Sequence, residues 1–422
     1  MSRLQVGVVA TTIGLNALDG FDVLSISLAS PGIGAEWGVD LPTLGILLSM
    51  DLIGMAAGSI LLGGAADRFG RRPTILGCLS VMAFGMFMVT TVRGLVDLSV
   101  WRVVTGLGIG GMLAAINAVA AEFSNNRRRH LSVSLMAIGY PMGIVLGGMV
   151  AAQLLQTADW RSIFYFGAGV TAALLPVVYL VVPESPHWLA RKQPRGALAR
   201  INHTLARMGH ATVAALPDIA PDVRRRSVGD IFAPGLAATT AIVTLAYFFH
   251  ITTYYFIIKW IPKIVVDMGF TASAAAGVIV WTSVGGVTGG IIFGLLSQRY
   301  NIKTLTLGLL VVSTVMVALF GRSPADLGRL SLICAVAGFC TNAGIVGLYA
   351  IIAQAFPTHV RAFGTGFTVG VGRGGSVLAP ILAGFLFAAG YGLPGVALAM
   401  GLGSLAAAAI LWFLRLEPNP PR

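Results

Sequence analysis

Four ionisable residues sit where the chain is otherwise apolar. Asp19-Gly20-Phe21-Asp22 lies about midway through the first apolar run. The i, i+3 spacing puts both carboxylates on one helix face. Two carboxylates on one face resist joint ionisation and can share a proton, which suits proton handling. Arg102 lies inside a later apolar run, and Arg373 inside another, flanked by Gly370, Gly372, Gly374 and Gly375. A planar guanidinium can hold a carboxylate in a bidentate pair, and the glycines leave room around it. Each such charge at a helix centre costs roughly 2.5–3.5 kcal/mol, so the four together cost roughly 10–14 kcal/mol if unpaired. They are therefore expected to face a polar cavity and one another, with a purely structural ion pair as the alternative. Asp51 sits near the depth of Arg102, which makes pairing its first expected role and a second proton site the lesser one. Tyr247, His250 and Tyr254 recur at i, i+3, i+7. That stripe could stack an aromatic ring and bond its hydroxyl, or could be ordinary packing or an interfacial belt. Asn117 and Asn342 are weaker cavity candidates.

These residues need a membrane-spanning frame, and the composition supplies one. Of the 422 residues 56% are hydrophobic and 10% charged, with mean hydropathy +0.85. Soluble domains average about 25% charged, so this chain cannot cover a globular surface. Hydrophobic runs predict twelve helices near 5–30, 43–65, 74–92, 98–121, 131–155, 161–182, 236–260, 272–296, 303–321, 327–355, 362–389 and 392–414. The expected fold is all-α: twelve transmembrane helices in two pseudo-symmetric six-helix bundles, residues 1–182 and 236–422, joined by a polar linker, 183–235. The first run spans fully, carries acids and shows no cleavage site, so it reads as a retained helix. Cys78, Cys334 and Cys340 lie in apolar runs without a CxxC partner, which argues against zinc or a disulfide frame. No catalytic triad, metal spacing or nucleotide loop is present, and no cofactor or enzyme activity is expected.

The net charge of +12 could suggest nucleic acid in a soluble protein. Topology explains it here. On one side of the predicted helices lie Arg93, Arg161, Lys259, Lys263, Arg322 and Arg329. Arg102 and Arg373 are inside spans, and the other 20 of the 28 Lys and Arg residues fall on the opposite side. That side, with both termini and the linker, is expected in the cytoplasm. A bacterial inner membrane, a monomer and no nucleic-acid partner are the matching expectations.

An internal repeat supports the six-plus-six division. Gly63-x-x-x-Asp67-Arg68 recurs as Gly294-x-x-x-Gln298-Arg299 at an offset of 231, and Glu122 with Arg129 recurs as Gln354 with Arg361 at 232. Duplicated six-helix units are a transporter architecture. The run Gly63-Gly64-Ala65-Ala66-Asp67-Arg68-Phe69-Gly70-Arg71-Arg72 resembles the loop 2–3 motif of the major facilitator superfamily. Arg102-x-x-x-Gly106-x-Gly108-x-Gly110-Gly111 resembles its second motif, whose glycines let helices approach closely. Asp19-Gly20-Phe21-Asp22 with Pro31, Pro183-Glu184-Ser185-Pro186-His187-Trp188-Leu189, Trp260-Ile261-Pro262, Phe356-Pro357-Thr358-His359-Val360-Arg361 and Gly370-Val371-Gly372-Arg373-Gly374-Gly375 are similar to the aromatic acid:proton symporter branch.

The resemblance implies a facilitator fold around a midplane cavity and proton-driven uptake of an aromatic carboxylate such as a hydroxybenzoate by alternating access. Asp19 and Asp22 would handle protons, and the proton gradient would supply the energy. Arg373, Arg102, His250, Tyr247, Tyr254, Asn117 and Asn342 would contact the small organic anion. Asp67, Arg68, Gly70, Arg71, Arg72, Glu122 and Arg129 would form the conformational switch. Three departures stand: Gln354 and Gln298 replace expected acids, and Asp51 has no counterpart in the pattern. A facilitator for sugars or non-aromatic acids, a drug exporter, and a non-transporting sensor are the alternatives. The exporter is disfavoured because Leu146-Gly147-Gly148 lacks the antiporter Gly-Pro pair.

Overall fold

A computed structural model describes residues 1–125, 128–217, 231–357 and 360–414, with the side chains of His130 and Ala362 left aside. Arg127, Arg224–Arg226 and the rest of 218–230, Thr358, His359, Arg415 and Arg422 lie outside the described residues. The described chain forms seventeen α-helices: α1 (Arg3–Trp37), α2 (Leu41–Leu47), α3 (Met50–Leu61), α4 (Ala65–Phe69), α5 (Arg71–Val89), α6 (Leu95–Glu122), α7 (Arg129–Thr157), α8 (Arg161–Val181), α9 (Pro186–Lys192), α10 (Ala197–Met208), α11 (Ala237–Asp267), α12 (Ala272–Leu296), α13 (Ile302–Gly321), α14 (Leu327–Ala355), α15 (Arg361–Gly372), α16 (Gly374–Ala388) and α17 (Leu393–Trp412). Twelve stretches are long and apolar enough to cross a membrane, the expected number. Two of them are broken. The second span divides into α2 and α3, and the eleventh into α15 and α16 on either side of Arg373.

Local chemistry starts several helices. The side chains of Ser185, Thr271, Asn301 and Asp326 each accept a backbone N–H three residues on, at 3.2, 3.2, 3.2 and 2.7 Å. Proline is a poorer guide. α1 runs through Pro31 to Trp37, and α11 runs through Pro262 to Asp267. Both helices therefore outlast the ends expected at 30 and 260. Lys259 and Lys263, expected at the non-cytoplasmic end of the seventh span, both lie inside α11. Lys259 is fully buried and Lys263 pairs with Asp267 one turn on. The seventh span thus carries an acid, which the run 236–260 lacks.

The chain divides into two compact units, Met1–Ala29 with Met50–Val223, and Ser30–Ser49 with Arg224–Arg422. The segment 30–49 was expected with the first bundle. It belongs to the second unit because α2 packs on α16: a Cβ on Gly45 would strike the Pro380 carbonyl, and Ser49 Oγ donates to the Val377 carbonyl at 2.7 Å. Close helix approach over small residues holds each unit. In the first, Gly54, Gly106 and Gly110 bring α3 onto α6, and Gly20 and Gly143 bring α1 onto α7, each against a facing backbone carbonyl. In the second, Gly285, Gly289 and Gly338 do the same between α12 and α14. Between the sixth and seventh spans, α9 and α10 close over Leu189, Ala197 and Ile201.

Candidate functional site

In the first unit the charges of α1, α3 and α6 converge in the interior. Asp22, Asp51 and Arg102 have no exposed surface, and Asp19 is also buried. Arg102 Nη2 reaches Asp51 Oδ2 at 3.4 Å and donates to the backbone carbonyl of Asp22 at 2.9 Å. Its guanidinium stands 5.6 Å over the Phe164 ring, with Met86 Sδ 3.4 Å from Nη1. Asp51 Oδ1 accepts the Leu52 N–H at 3.0 Å. The Arg102–Asp51 pairing read from depth alone is therefore present. Both carboxylate oxygens of Asp22 lack a hydrogen-bond partner among the described residues. A Cβ on Gly167 of α8 would lie 3.6 Å from Asp22 Oδ1, so the carboxylate points toward α8.

The loop between α3 and α5 is organised by Arg71. Its Nη1 donates to Asp67 Oδ1 and to the Ala66 carbonyl, both at 2.7 Å, and its Nη2 to Glu122 Oε1 at 3.0 Å. Glu184 Oε1 accepts the Arg71 and Ser185 backbone N–H groups at 2.8 and 2.9 Å. Trp188 Nε1 donates to the Asp67 carbonyl at 3.0 Å. Gly70 sits at φ 108°, where a Cβ would meet the Glu184 carboxylate, so this position requires glycine. Arg68 stacks on Phe69 at 5.2 Å, Arg72 stands over Tyr179 at 4.5 Å, and Arg129 is exposed at the start of α7.

In the second unit Tyr247 and Arg373 share a neighbourhood. The Tyr247 ring lies against Gly372, which has no side chain to displace it, and Arg373 follows at the α15–α16 break. Tyr247 and Tyr349 hydroxyls are 3.0 Å apart with ring centroids at 5.6 Å. Tyr247 is 2% exposed and Tyr349 40%, so the pair has one buried and one open end. His250 stands apart from them. Nε2 meets the Thr341 carbonyl and Nδ1 the Ser404 hydroxyl, both at 2.8 Å. A carbonyl can only accept, so Nε2 carries the proton and, in the neutral ring, Nδ1 accepts from Ser404. Both ring nitrogens thus tie α11 to α14 and α17. Asn342 donates to the Gly286 carbonyl at 2.6 Å, and Asn117 to its own helix at Leu113, 2.9 Å. Tyr254 packs edge-on against Tyr255 at 5.5 Å.

The model of the Major Facilitator Superfamily matches residues 12–336 and 243–422. The chain belongs to that family. A facilitator of this kind is a multi-pass membrane transporter rather than an enzyme. Relatives include the 3-(3-hydroxy-phenyl)propionate transporter of Escherichia coli (strain K12), 30% identical over 96% of this chain and 95% of its own. The gallate transporter of Pseudomonas putida is 29% identical over 92% and 87%, and the 4-hydroxybenzoate transporter PcaK of the same organism 29% over 90% and 85%. Among solved structures, the D-xylose-proton symporter shares the fold at TM-score 0.73 and 18% identity, covering 98% of each chain.

Two contributors to this facilitator's candidate sites escaped the sequence reading. Tyr349 lies seven residues after Asn342 on α14, a spacing that puts both on one face and was the available signal. Glu184 was visible in its Pro-Glu-Ser-Pro setting, but nothing local shows that its carboxylate closes the Arg71 turn 113 residues away.

Proposed function

We propose that this facilitator takes up an aromatic carboxylate, such as a hydroxybenzoate, in symport with protons by alternating access, with both termini in the cytoplasm. The observation that carries the reading is the set of relatives named for aromatic acids, aligned along 90–96% of this chain. In this reading Asp22, assisted by Asp19, takes up and releases the proton, because it is a buried carboxylate whose oxygens accept no hydrogen bond from the described residues. Arg373 grips the substrate carboxylate, and the open end of the Tyr247–Tyr349 pair reads a ring hydroxyl. Arg102 and His250 position rather than bind, since Asp51 and the Thr341–Ser404 pair engage them. The Arg71 cluster governs interconversion between states, and the proton gradient supplies the energy. If more than one proton accompanies each monoanion, net positive charge moves inward and the membrane potential assists.

The test is uptake of labelled 4-hydroxybenzoate into proteoliposomes under an imposed inward proton gradient. Accumulation that collapses with a protonophore and is lost in Asp22→Asn is expected. Uptake indifferent to the gradient refutes the coupling. Xylose uptake without hydroxybenzoate uptake refutes the substrate class.

A further inference from the structure

A cavity of about 360 Å³ in the first unit lies between the last turn of α8, the first turn of α5 and one side of α10. Its lining includes Arg72, Tyr179, Leu180, Arg200, His203 and Arg207. Neither the transport reading nor the loop network uses it. Arg200, His203 and Arg207 follow at i, i+3, i+7 on the exposed face of α10. The neighbouring face, through Ala197 and Ile201, is held in a buried cluster with Leu189, and Arg200, His203 and Arg207 all line the cavity. From the other wall comes Arg72. Its guanidinium stands over the Tyr179 ring at 4.5 Å and donates to the Tyr179 carbonyl, while its Nε is buried with no hydrogen-bond partner among the described residues. Glu184, the one acid among the described lining residues, already spends Oε1 on the Arg71 and Ser185 backbone N–H groups.

We propose that this cavity binds the phosphate headgroup of an anionic phospholipid. Three arginines and a histidine around one acid make an anion site, and arginine matches phosphate geometry with paired N–H donors. A soluble phosphate would satisfy the same cations. The place favours the lipid. Tyr179 and Leu180 form the last turn of a membrane-spanning helix and are 61% and 71% exposed. They offer an apolar wall for acyl chains directly beneath the cations, at the depth where headgroups lie. Basic groups at a span end draw anionic lipid in this way. An occupant would brace α10 against the ends of α5 and α8, next to the Arg71 turn.

Native mass spectrometry of the full-length transporter in detergent micelles tests this. Phosphatidylglycerol, phosphatidylcholine of the same chains and inorganic phosphate are the probes. Wild type should retain phosphatidylglycerol over phosphatidylcholine. Arg200→Ala/Arg207→Ala should lose that retention by roughly 5-fold per arginine, about 25-fold together. Both residues are exposed on α10, so the variant should keep the wild-type melting temperature. Arg200→Lys/Arg207→Lys, which keeps the charge, should restore most of the binding. Equal retention by wild type and the alanine pair, or equal retention of the two lipids, overturns the site. Full displacement of phosphatidylglycerol by millimolar inorganic phosphate overturns the lipid as its occupant. None of these readouts involves transport, so they stand or fall apart from the aromatic-acid reading.

Discussion

Asp22 and Asp51 are both carboxylates with no exposed surface, yet removing their charges should have opposite consequences. Asp51 faces Arg102 at 3.4 Å, and both are fully buried. Asp51→Asn leaves the guanidinium with the Asp22 carbonyl at 2.9 Å but without its ion-pair partner. Removing one partner of a buried pair costs about 3–5 kcal/mol. In a unit of this size that lowers the melting temperature by roughly 6–20 °C. Asp22→Asn removes a carboxylate whose oxygens accept no hydrogen bond from the described residues, so the cost should stay under about 1 kcal/mol. Its effect should fall on transport instead: accumulation driven by the proton gradient should vanish while the fold stays intact. Intrinsic-fluorescence melts in detergent micelles, run beside proteoliposome uptake, measure both quantities on the same preparations. Asp22→Asn melting as early as Asp51→Asn would refute the claim that Asp22 bears no structural load, and an Asp51→Asn melt unchanged from wild type would refute the structural role of Asp51. Asp22→Asn accumulating substrate with unchanged pH dependence would refute the proton role.

Gly70→Ala forces a side chain into a φ of 108° and into the Glu184 carboxylate, so it should cost about 1–3 kcal/mol and slow turnover, read as a lower melting temperature and uptake rate. Asp67→Ala loses one ligand of Arg71 at an exposed position and should slow exchange with little change in the substrate dissociation constant; a large rise in that constant at normal turnover would contradict the placement. Arg373→Ala should weaken binding of benzoate-type acids by about 10–100-fold, with Arg373→Lys intermediate and the corresponding amide insensitive to either. Equal binding of acid and amide to wild type would remove the clamp. Tyr349→Phe should weaken a hydroxybenzoate by about 2–10-fold and leave benzoate unchanged, which isothermal titration of the purified protein reads directly.

The amino-acid sequence by itself determined the class of the molecule. Twelve apolar runs are each long enough to span, and a 3.6-residue period settles which residues share a helix face, so Asp19 with Asp22 and Tyr247 with His250 could be grouped before any fold was known. The glycine runs of α6 also announced close packing, because nothing but an absent side chain lets two backbones approach. Helix ends were read less well. Pro31 and Pro262, 231 residues apart, lie just beyond the expected ends at 30 and 260, but inside a packed bundle neighbouring helices satisfy the freed backbone groups and both helices continue. Only the tertiary structure decided the partners. That Arg102 spends itself on Asp51, that His250 is tied to Thr341 and Ser404, that Glu184 closes the turn at Gly70, and that Tyr349 meets Tyr247 are all contacts between residues 51 to 154 apart. Periodicity fixes the azimuth of a side chain about its own helix. It cannot fix which neighbouring helix stands there, or at what height, and those two quantities separate a binding group from a structural one.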